Sequence, residues 1–346
     1  MSEFEAPLRL HLDGDALVAN WRFLKAQGQA DCGAAVKADG YGLGAREVVT
    51  RLRNAGCRNF FVAHWREAAA IADLVPPELI SILNGIEAAD IPLVRELGAV
   101  PVLNTPKQVA IWKSAGGGRC HVMLDTGINR LGIGPEEVSA ELLDSLDIDI
   151  LMSHLASADQ DSDQNPCQLA LFNQLSRTIH AKRRSLANSA GIMLGRDYHF
   201  DVTRPGIGLY GGIERAEMAK VIAPVVCLAA RILQVRHLKT GDTVGYGATH
   251  KCKAPTVLAT AAMGYADGYL RSFSGHGIVY AGGITLPVIG RVSMDLITID
   301  ATAFPALAEG DWVTLPYNLP DLAEQSGVSQ YELLTTLGQR SKRIWR

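Results

Sequence analysis

The chain has 346 residues, 48% of them apolar and 20% charged, with a formal net charge of −3. That length points to two domains, or to one barrel plus a further module. The near-neutral charge gives no electrostatic case for nucleic acid or an anionic membrane as partner, and no apolar run reaches the about 18 residues of a membrane span.

The opening, MSEFEAPLRLHLDGDALVAN, is acidic and lacks the apolar core of a signal peptide. From residue 9 to about 205, short apolar runs alternate with helical patterns. CGAAVKA precedes GAREVVTRLRNAG, NFFVAH precedes REAAAIADLV, LISILNG precedes AADIPLVRELG, and AVPVLN precedes TPKQVAIWKSAG. CHVMLDTG, IDILMSHLA and IMLGRDYHFD extend the series, with a helix-like NPCQLALFNQLSRTIHAKRR before the last. Roughly seven or eight such units predict an α/β TIM barrel, with a doubly wound sheet as runner-up. No GxGxxG opens a helix, which weakens a dinucleotide-binding version. From about residue 225 the texture changes to β-rich runs (VVCLAARILQVRHL, DTVGYG, TVLATAAMG, GIVYAGGITLPVIGRV, LITIDA, DWVTLPY), with little helix until QYELLTTLGQR. The expected organisation is a barrel over residues 1–224 and an all-β domain over 225–346. The six cysteines are scattered without a CxxC pair, which fits reduced thiols in a cytoplasm better than disulfides or a zinc site.

Lys37 lies at the end of the first strand, before Gly40, Gly42 and Gly44. A strand-end lysine is ordinarily solvated surface. In a barrel, however, that end carries the chemistry, and a lysine against an apolar wall can lose its proton and form a Schiff base with an aldehyde. DVTRPGIGLYGG reads as a strand end at Asp201–Arg204 followed by a tight turn at Pro205–Gly208, whose N–H groups suit a phosphate. Ser189, in NSAG, offers a hydroxyl at an earlier strand end. Arg130 follows a buried strand and could clamp a carboxylate or pair with a structural one such as Asp125. His154 ends another strand, where a histidine is more often core than catalyst. Tyr265 and Tyr269, in MGYADGYLRS, and Met294, in IGRVSMD, read singly as packing or turn residues.

Together these stretches are diagnostic. VKADGYGLG, DTGINRLG, SHLASAD, NSAG, RPGIGLYG, GYADGY and GRVSMD, in that order, closely resemble the bacterial alanine racemases, fold-type III pyridoxal phosphate enzymes. The resemblance covers nearly the whole chain and implies an N-terminal (β/α)8 barrel with a C-terminal β domain. It implies that Lys37 carries pyridoxal 5'-phosphate and acts as the base on the D-face of the alanine α-carbon, with Tyr265 as the base on the L-face. Two bases on opposite faces suit a reaction that removes a proton on one side and returns it on the other. The resemblance also implies that His154, linked to Arg204, helps Tyr265, whose unperturbed pKa is about 10. By the same resemblance, Arg204 is expected to face the cofactor's ring nitrogen, Tyr41, Ser189, Gly206 and Ile207 to hold the phosphate, and Arg130 and the Met294 N–H to hold the substrate carboxylate. Tyr265 and Met294 serve the site of the other subunit, so the implied assembly is a cytoplasmic homodimer with shared sites.

Three positions depart from the family pattern. Met123 stands where many members have a carbamylated lysine, so Arg130 needs another orienting group, with Asn129 or a bound anion as candidates. Gln339 replaces a tyrosine that often contacts the phosphate, and Ile278 an entrance tyrosine. Competing readings are a broader amino-acid (serine) racemase of the same fold, a non-catalytic barrel-only pyridoxal phosphate protein, and a decarboxylase. The β domain with GYADGY argues against the second, and Arg204 against the last.

Overall fold

The computed structural model describes residues 5–346. Two units emerge: Leu17–Ala223, and the N-terminal segment through Ala16 together with Pro224–Arg346. In the first, strands Ala34–Ala35, Phe60–Val62, Ile80–Ile82, Val100–Leu103, Arg119–Met123, Asp147–Met152 and Arg183–Ser185 form one parallel sheet in chain order. Asp31–Cys32 precedes the first of these and pairs with Val202–Thr203. A backbone bond from Gly33 N–H to Thr203 O (2.9 Å) joins first stave to last, and bonds from Asp201 N–H to Arg184 O (3.0 Å) and Arg204 N–H to Ala187 O (2.8 Å) join the last to the stave Arg183–Ser185, closing the eight-stave barrel. The strands Phe60–Val62, Ile80–Ile82 and Val100–Leu103 are buried at every residue. That is why they read as unbroken apolar runs: a barrel strand is covered on both faces.

One stretch differs from its expectation. IMLGRDYHFD is not a strand. Asn188 Oδ1 accepts the Gly191 N–H at 2.8 Å and starts the helix Ser189–Met193. The stave before it is Arg183–Ser185, overlapping the end of the run that reads as helix; the helix itself ends at Ser176.

The second unit is built on the 13-residue strand Val226–Leu238. Its first half pairs antiparallel with Leu8–Leu12 and Trp312–Pro316, its second half with Thr256–Ala261, and the register slips between Ile232 and Gln234. Leu8–Leu12 also pairs with Lys342–Trp345, so the first strand of the chain belongs to this sheet rather than to the barrel. The hairpin Ile278–Ala281 to Ile284–Pro287 turns on Gly282 and Gly283, with φ of 53° and 80°. A two-residue hairpin loop of this hand requires positive φ at both positions. A helix at Leu319–Ser326 precedes the expected one, seen at Gln330–Thr335. Among the described residues no helix is long and apolar enough to cross a membrane.

Candidate active site

Lys37 follows the strand Ala34–Ala35 and opens a turn of inverted hand. Ala38, Asp39, Gly40, Tyr41 and Gly42 have φ of 52°, 54°, 62°, 55° and 85°. A left-handed residue with a Cβ costs roughly 1–2 kcal/mol, so this turn needs outside support. Gly40 N–H donates to Val36 O (2.9 Å), Gly42 N–H to Ala38 O and Gly44 N–H to Asp39 O (both 2.8 Å). Asp39 Oδ1 accepts the Ala45 N–H at 2.8 Å. Glu67 ties the turn to the neighbouring strand end: Oε1 accepts the Ala38 N–H and Oε2 the Ala63 N–H, each at 2.7 Å. Burial lowers the Lys37 amine pKa from its usual value, Arg130 lowers it further, Glu67 opposes, and Arg204 lowers it again. Such a lysine is neutral at a lower pH than a solvated one, as a nucleophile or base requires.

Tyr41, at the end of the inverted turn, stacks on Tyr210 with ring centroids 4.6 Å apart, and the Tyr210 hydroxyl donates to Ala35 O at 2.8 Å. A Cβ on Gly206 would lie 2.2 Å from the Tyr41 hydroxyl oxygen. Only glycine lets that hydroxyl rest on the Gly206–Ile207 backbone. Burial, then Glu214, raises the Tyr41 pKa, so the phenol keeps its proton and can donate. Ser189, fully buried, accepts the N–H groups of Gly206 (2.9 Å) and Gly208 (3.1 Å) on its Oγ. Both lone pairs are then used, leaving the Ser189 O–H to donate. Two hydroxyls converging on a glycine turn form a donor set that fits a phosphate.

Arg204, 6% exposed, donates to Ser153 O at 2.5 Å, to Leu186 O at 3.5 Å and to Ser185 Oγ. Every one of these acceptors is neutral. Burial lowers its pKa to about 10, still far above neutrality. His154, beside the carbonyl that holds Arg204, is pushed down to about 3 by burial, then by Arg204, Arg130 and Lys37. Its imidazole is therefore neutral and able to accept a hydrogen bond. Gln168 braces this loop: its Nε2 donates to Thr126 Oγ1 and His154 O, and its Oε1 accepts the Ala156 N–H.

Arg130 is exposed, and Asp125 sets its loop. Asp125 Oδ1 accepts the N–H groups of Gly127, Ile128 and Asn129 (2.8–3.1 Å), and Oδ2 accepts that of Arg130 at 3.2 Å. Met123, 7% exposed, ends the strand beneath. Lys37, Tyr41, Arg130, His154, Ser189, Arg204, Gly206 and Ile207 thus all follow the C-terminal ends of barrel strands. Asp125, named as a structural partner for Arg130, holds the Arg130 N–H rather than its guanidinium; Glu67 and Gln168 escaped the sequence reading, although Glu67 at the third position of the helix Trp65–Ala69 fits a helix-start signal.

Tyr265 and Met294 lie in the other unit, 41% and 53% exposed. Their loops are bonded to each other: Tyr265 N–H to Ser293 O and Ala266 N–H to Met294 O, both 3.0 Å. Gln339 is exposed and Ile278 begins a hairpin strand.

A family model for the alanine racemase N-terminal domain matches residues 12–214, and one for the alanine racemase C-terminal domain matches residues 225–345. The chain is 43% identical over 339 residues to an alanine racemase of Jannaschia sp. (strain CCS1), covering 96% of this chain and 97% of that one. It superposes on the crystal structure of alanine racemase from Bartonella henselae with covalently bound pyridoxal phosphate, with a TM-score of 0.92 and 35% identity over 99% of this chain and all of that one. A biosynthetic alanine racemase from Pseudomonas aeruginosa gives a TM-score of 0.91 and 33% identity, over 99% and 100% of the two chains.

Proposed function

The chain belongs to the alanine racemase family, and from that membership we propose that it interconverts L- and D-alanine with pyridoxal 5'-phosphate, by proton transfer on two faces of the α-carbon. The observation that carries the proposal is the depressed Lys37 amine, set at a strand end among Arg130, Arg204 and a hydroxyl-lined glycine turn.

When bound, pyridoxal phosphate supplies an electron-withdrawing ring that makes the alanine α-hydrogen acidic. Lys37 would hold it covalently, Tyr41, Ser189, Gly206 and Ile207 would hold its phosphate, and Arg204 would donate to its ring nitrogen. A guanidinium keeps its protons, so Arg204 would not protonate that nitrogen, which would favour return of the α-proton over transamination. Arg130 and the Met294 N–H of the partner subunit hold the substrate carboxylate. Lys37 moves the proton on the D-face and Tyr265 of the partner subunit moves it on the L-face, with the neutral His154 imidazole accepting a hydrogen bond from that phenol. The proposed assembly is a cytoplasmic homodimer supplying D-alanine for peptidoglycan precursors.

The test is polarimetry. Holoenzyme with L-alanine should lose optical rotation to zero; bound cofactor without that loss would overturn the proposal. The shared site has its own test. In a hybrid of Lys37→Ala with Tyr265→Phe, one site collects both defects and the other neither. Random exchange makes about half the dimers hybrid, so roughly a quarter of wild-type activity should return in a two-fold dimer. Confirmed hybrids no more active than their parents would sink the two-chain site.

A further inference from the structure

We propose that Arg340 and Asp267 are positioning residues for the L-face proton transfer, clamping the turn that carries Tyr265 to the Met294 loop. The inference rests on the reading of Tyr265 given above.

Tyr265 opens the single turn Tyr265–Asp267. Among the described residues no side chain hydrogen-bonds its hydroxyl, so the direction of the ring is set by the backbone beneath it. That backbone is held from inside by Asp267, a carboxylate only 6% exposed. Its Oδ2 accepts the Gly264 N–H at 2.9 Å, and its Oδ1 accepts Arg340 Nε at 3.0 Å and lies 2.9 Å from Arg340 Nη2. The same guanidinium reaches from Nη1 to Asp295 Oδ1 at 2.7 Å, next to Met294. Arg340 therefore joins the residue that ends the Tyr265 turn to the residue that follows Met294.

The close approach of the two loops depends on Gly264, where a Cβ would sit 2.3 Å from Met294 O. Gly338 donates its N–H to Asp267 O at 3.4 Å, and a Cβ there would meet Ala266 O at 2.6 Å, so the segment bearing Arg340 packs directly on the turn. A buried carboxylate is costly unless paired and hydrogen-bonded. Here both oxygens are committed to fixing one turn whose outward residue is the proposed proton carrier, and Arg340 ties that turn to the Met294 loop.

A role in stability alone predicts equal losses on both faces of the substrate; positioning of Tyr265 predicts an asymmetric loss. Steady-state rates cannot separate these, because mirror-image alanines have equal free energy and kcat/KM must be the same in both directions. Solvent exchange of the α-hydrogen can: it is measured separately from L-alanine and D-alanine in deuterated water, with holoenzyme. For Arg340→Met, exchange from L-alanine should fall about 10–100-fold, as expected for displacing an acid–base group by about an ångström. Exchange from D-alanine should change less than about threefold, since Lys37 is untouched. Asp267→Asn should shift the ratio in the same direction. Arg340→Lys should restore part of it, because an ammonium can reach one carboxylate but not fork between two. Amide exchange across residues 264–268 should quicken in Arg340→Met.

Tyr265→Phe is the control. If it spares exchange from L-alanine, the reading of Tyr265 fails and the clamp fails with it. If it abolishes that exchange while the Arg340 and Asp267 variants leave the L/D ratio unchanged, the clamp alone is overturned. Should Arg340→Met fail to fold, the L/D ratio of Arg340→Lys decides.

Discussion

The two ends of the barrel strands pair their charges differently. At the N-terminal ends, Asp149 accepts from Arg119 Nε and Nη2 (3.1 and 2.6 Å) and from Arg183 Nε and Nη2 (3.1 and 2.8 Å), while Arg183 Nη1 also donates to Asn59. His121 lies inside the same end. Its Nδ1 accepts the Ile150 N–H, so Nε2 carries the proton and faces Ser81 Oγ at 3.0 Å; burial pushes its pKa down to about 3. The charges there are matched with opposite charges. At the C-terminal ends, Lys37, Arg130 and Arg204 gather with Glu67 as the carboxylate acting on Lys37, and Arg204 is held by neutral acceptors. One end spends its charges on one another. The other keeps a buried guanidinium, Arg204, without a carboxylate partner among the described residues, and that suits it to a ligand brought from outside. The backbone follows the same division, with the inverted Ala38–Gly42 turn at the unmatched end.

Removing the central amine of the unmatched end should have the largest effect. Lys37→Ala is expected to abolish covalent cofactor attachment and nearly all racemisation. Borohydride reduction of the wild type should fix the cofactor to the peptide bearing Lys37. A label on any other lysine would break the assignment.

The matched end should respond in stability alone. Burial raises the Asp149 carboxyl, but hydrogen bonds from Arg183 and Arg119 outweigh it and bring it down to about 2. Asp149→Asn should cost about 3 kcal/mol, the low end for removing one partner of a buried ion pair, because both arginines keep some solvent contact. The carboxylate is ionised in both native and unfolded chains above its ordinary 3.8, so the wild-type advantage is full there and is lost as the pH falls toward about 2. Chemical denaturation at neutral and acid pH, with kcat measured alongside, checks both halves. A large fall in kcat of the folded variant would erase the division between the ends.

Most of this plan was legible in the sequence, and the failures have physical causes. Barrel strands buried on both faces announce themselves as apolar runs. LRLHL at the start differs: Leu8, Leu10 and Leu12 are buried while Arg9 and His11 are half-buried. That period-two pattern marks a strand with one open face, as in an antiparallel sheet, and here it belongs to the second unit. Arg183–Ser185 could not be read as a stave, because its arginine serves the ion network instead of the core. Around Lys37, the residues were legible but the inverted turn was not, since three of its five positive-φ positions are not glycine. Glu67 escaped because it acts on backbone N–H groups, and Asp125 was legible as a carboxylate near Arg130 but not as the acceptor of four backbone N–H groups.

A smaller test concerns the two charges that oppose each other at Lys37. Arg130 lowers the amine pKa and Glu67 raises it. Capture of pyridoxal phosphate by the apoprotein needs the neutral amine, so its pH profile reports that pKa. Arg130→Met should move the profile to higher pH, and Glu67→Gln should move it to lower pH. Stopped-flow absorbance across the alkaline range measures both. Shifts of the same sign would show that these charges do not act on Lys37 as the geometry implies.

The smallest expected effect is none at all. A carbamate at position 123 would place a negative charge at the unmatched end and orient Arg130 by its side chain. Met123 has no amine to carbamylate, and it is buried at the end of Arg119–Met123. The Arg130 loop is held from its backbone, through the Asp125 carboxylate. Racemisation should therefore be insensitive to added bicarbonate at fixed pH and ionic strength, whereas Asp125→Asn should raise the KM for alanine by loosening the loop. The two measurements separate the alternatives. A marked rise in wild-type rate with bicarbonate would mean that a carbamate forms on another lysine and reaches Arg130. The C-terminal end of the barrel would then carry a further carboxylate-like charge, and the contrast between the two ends would be weaker than the side chains alone make it.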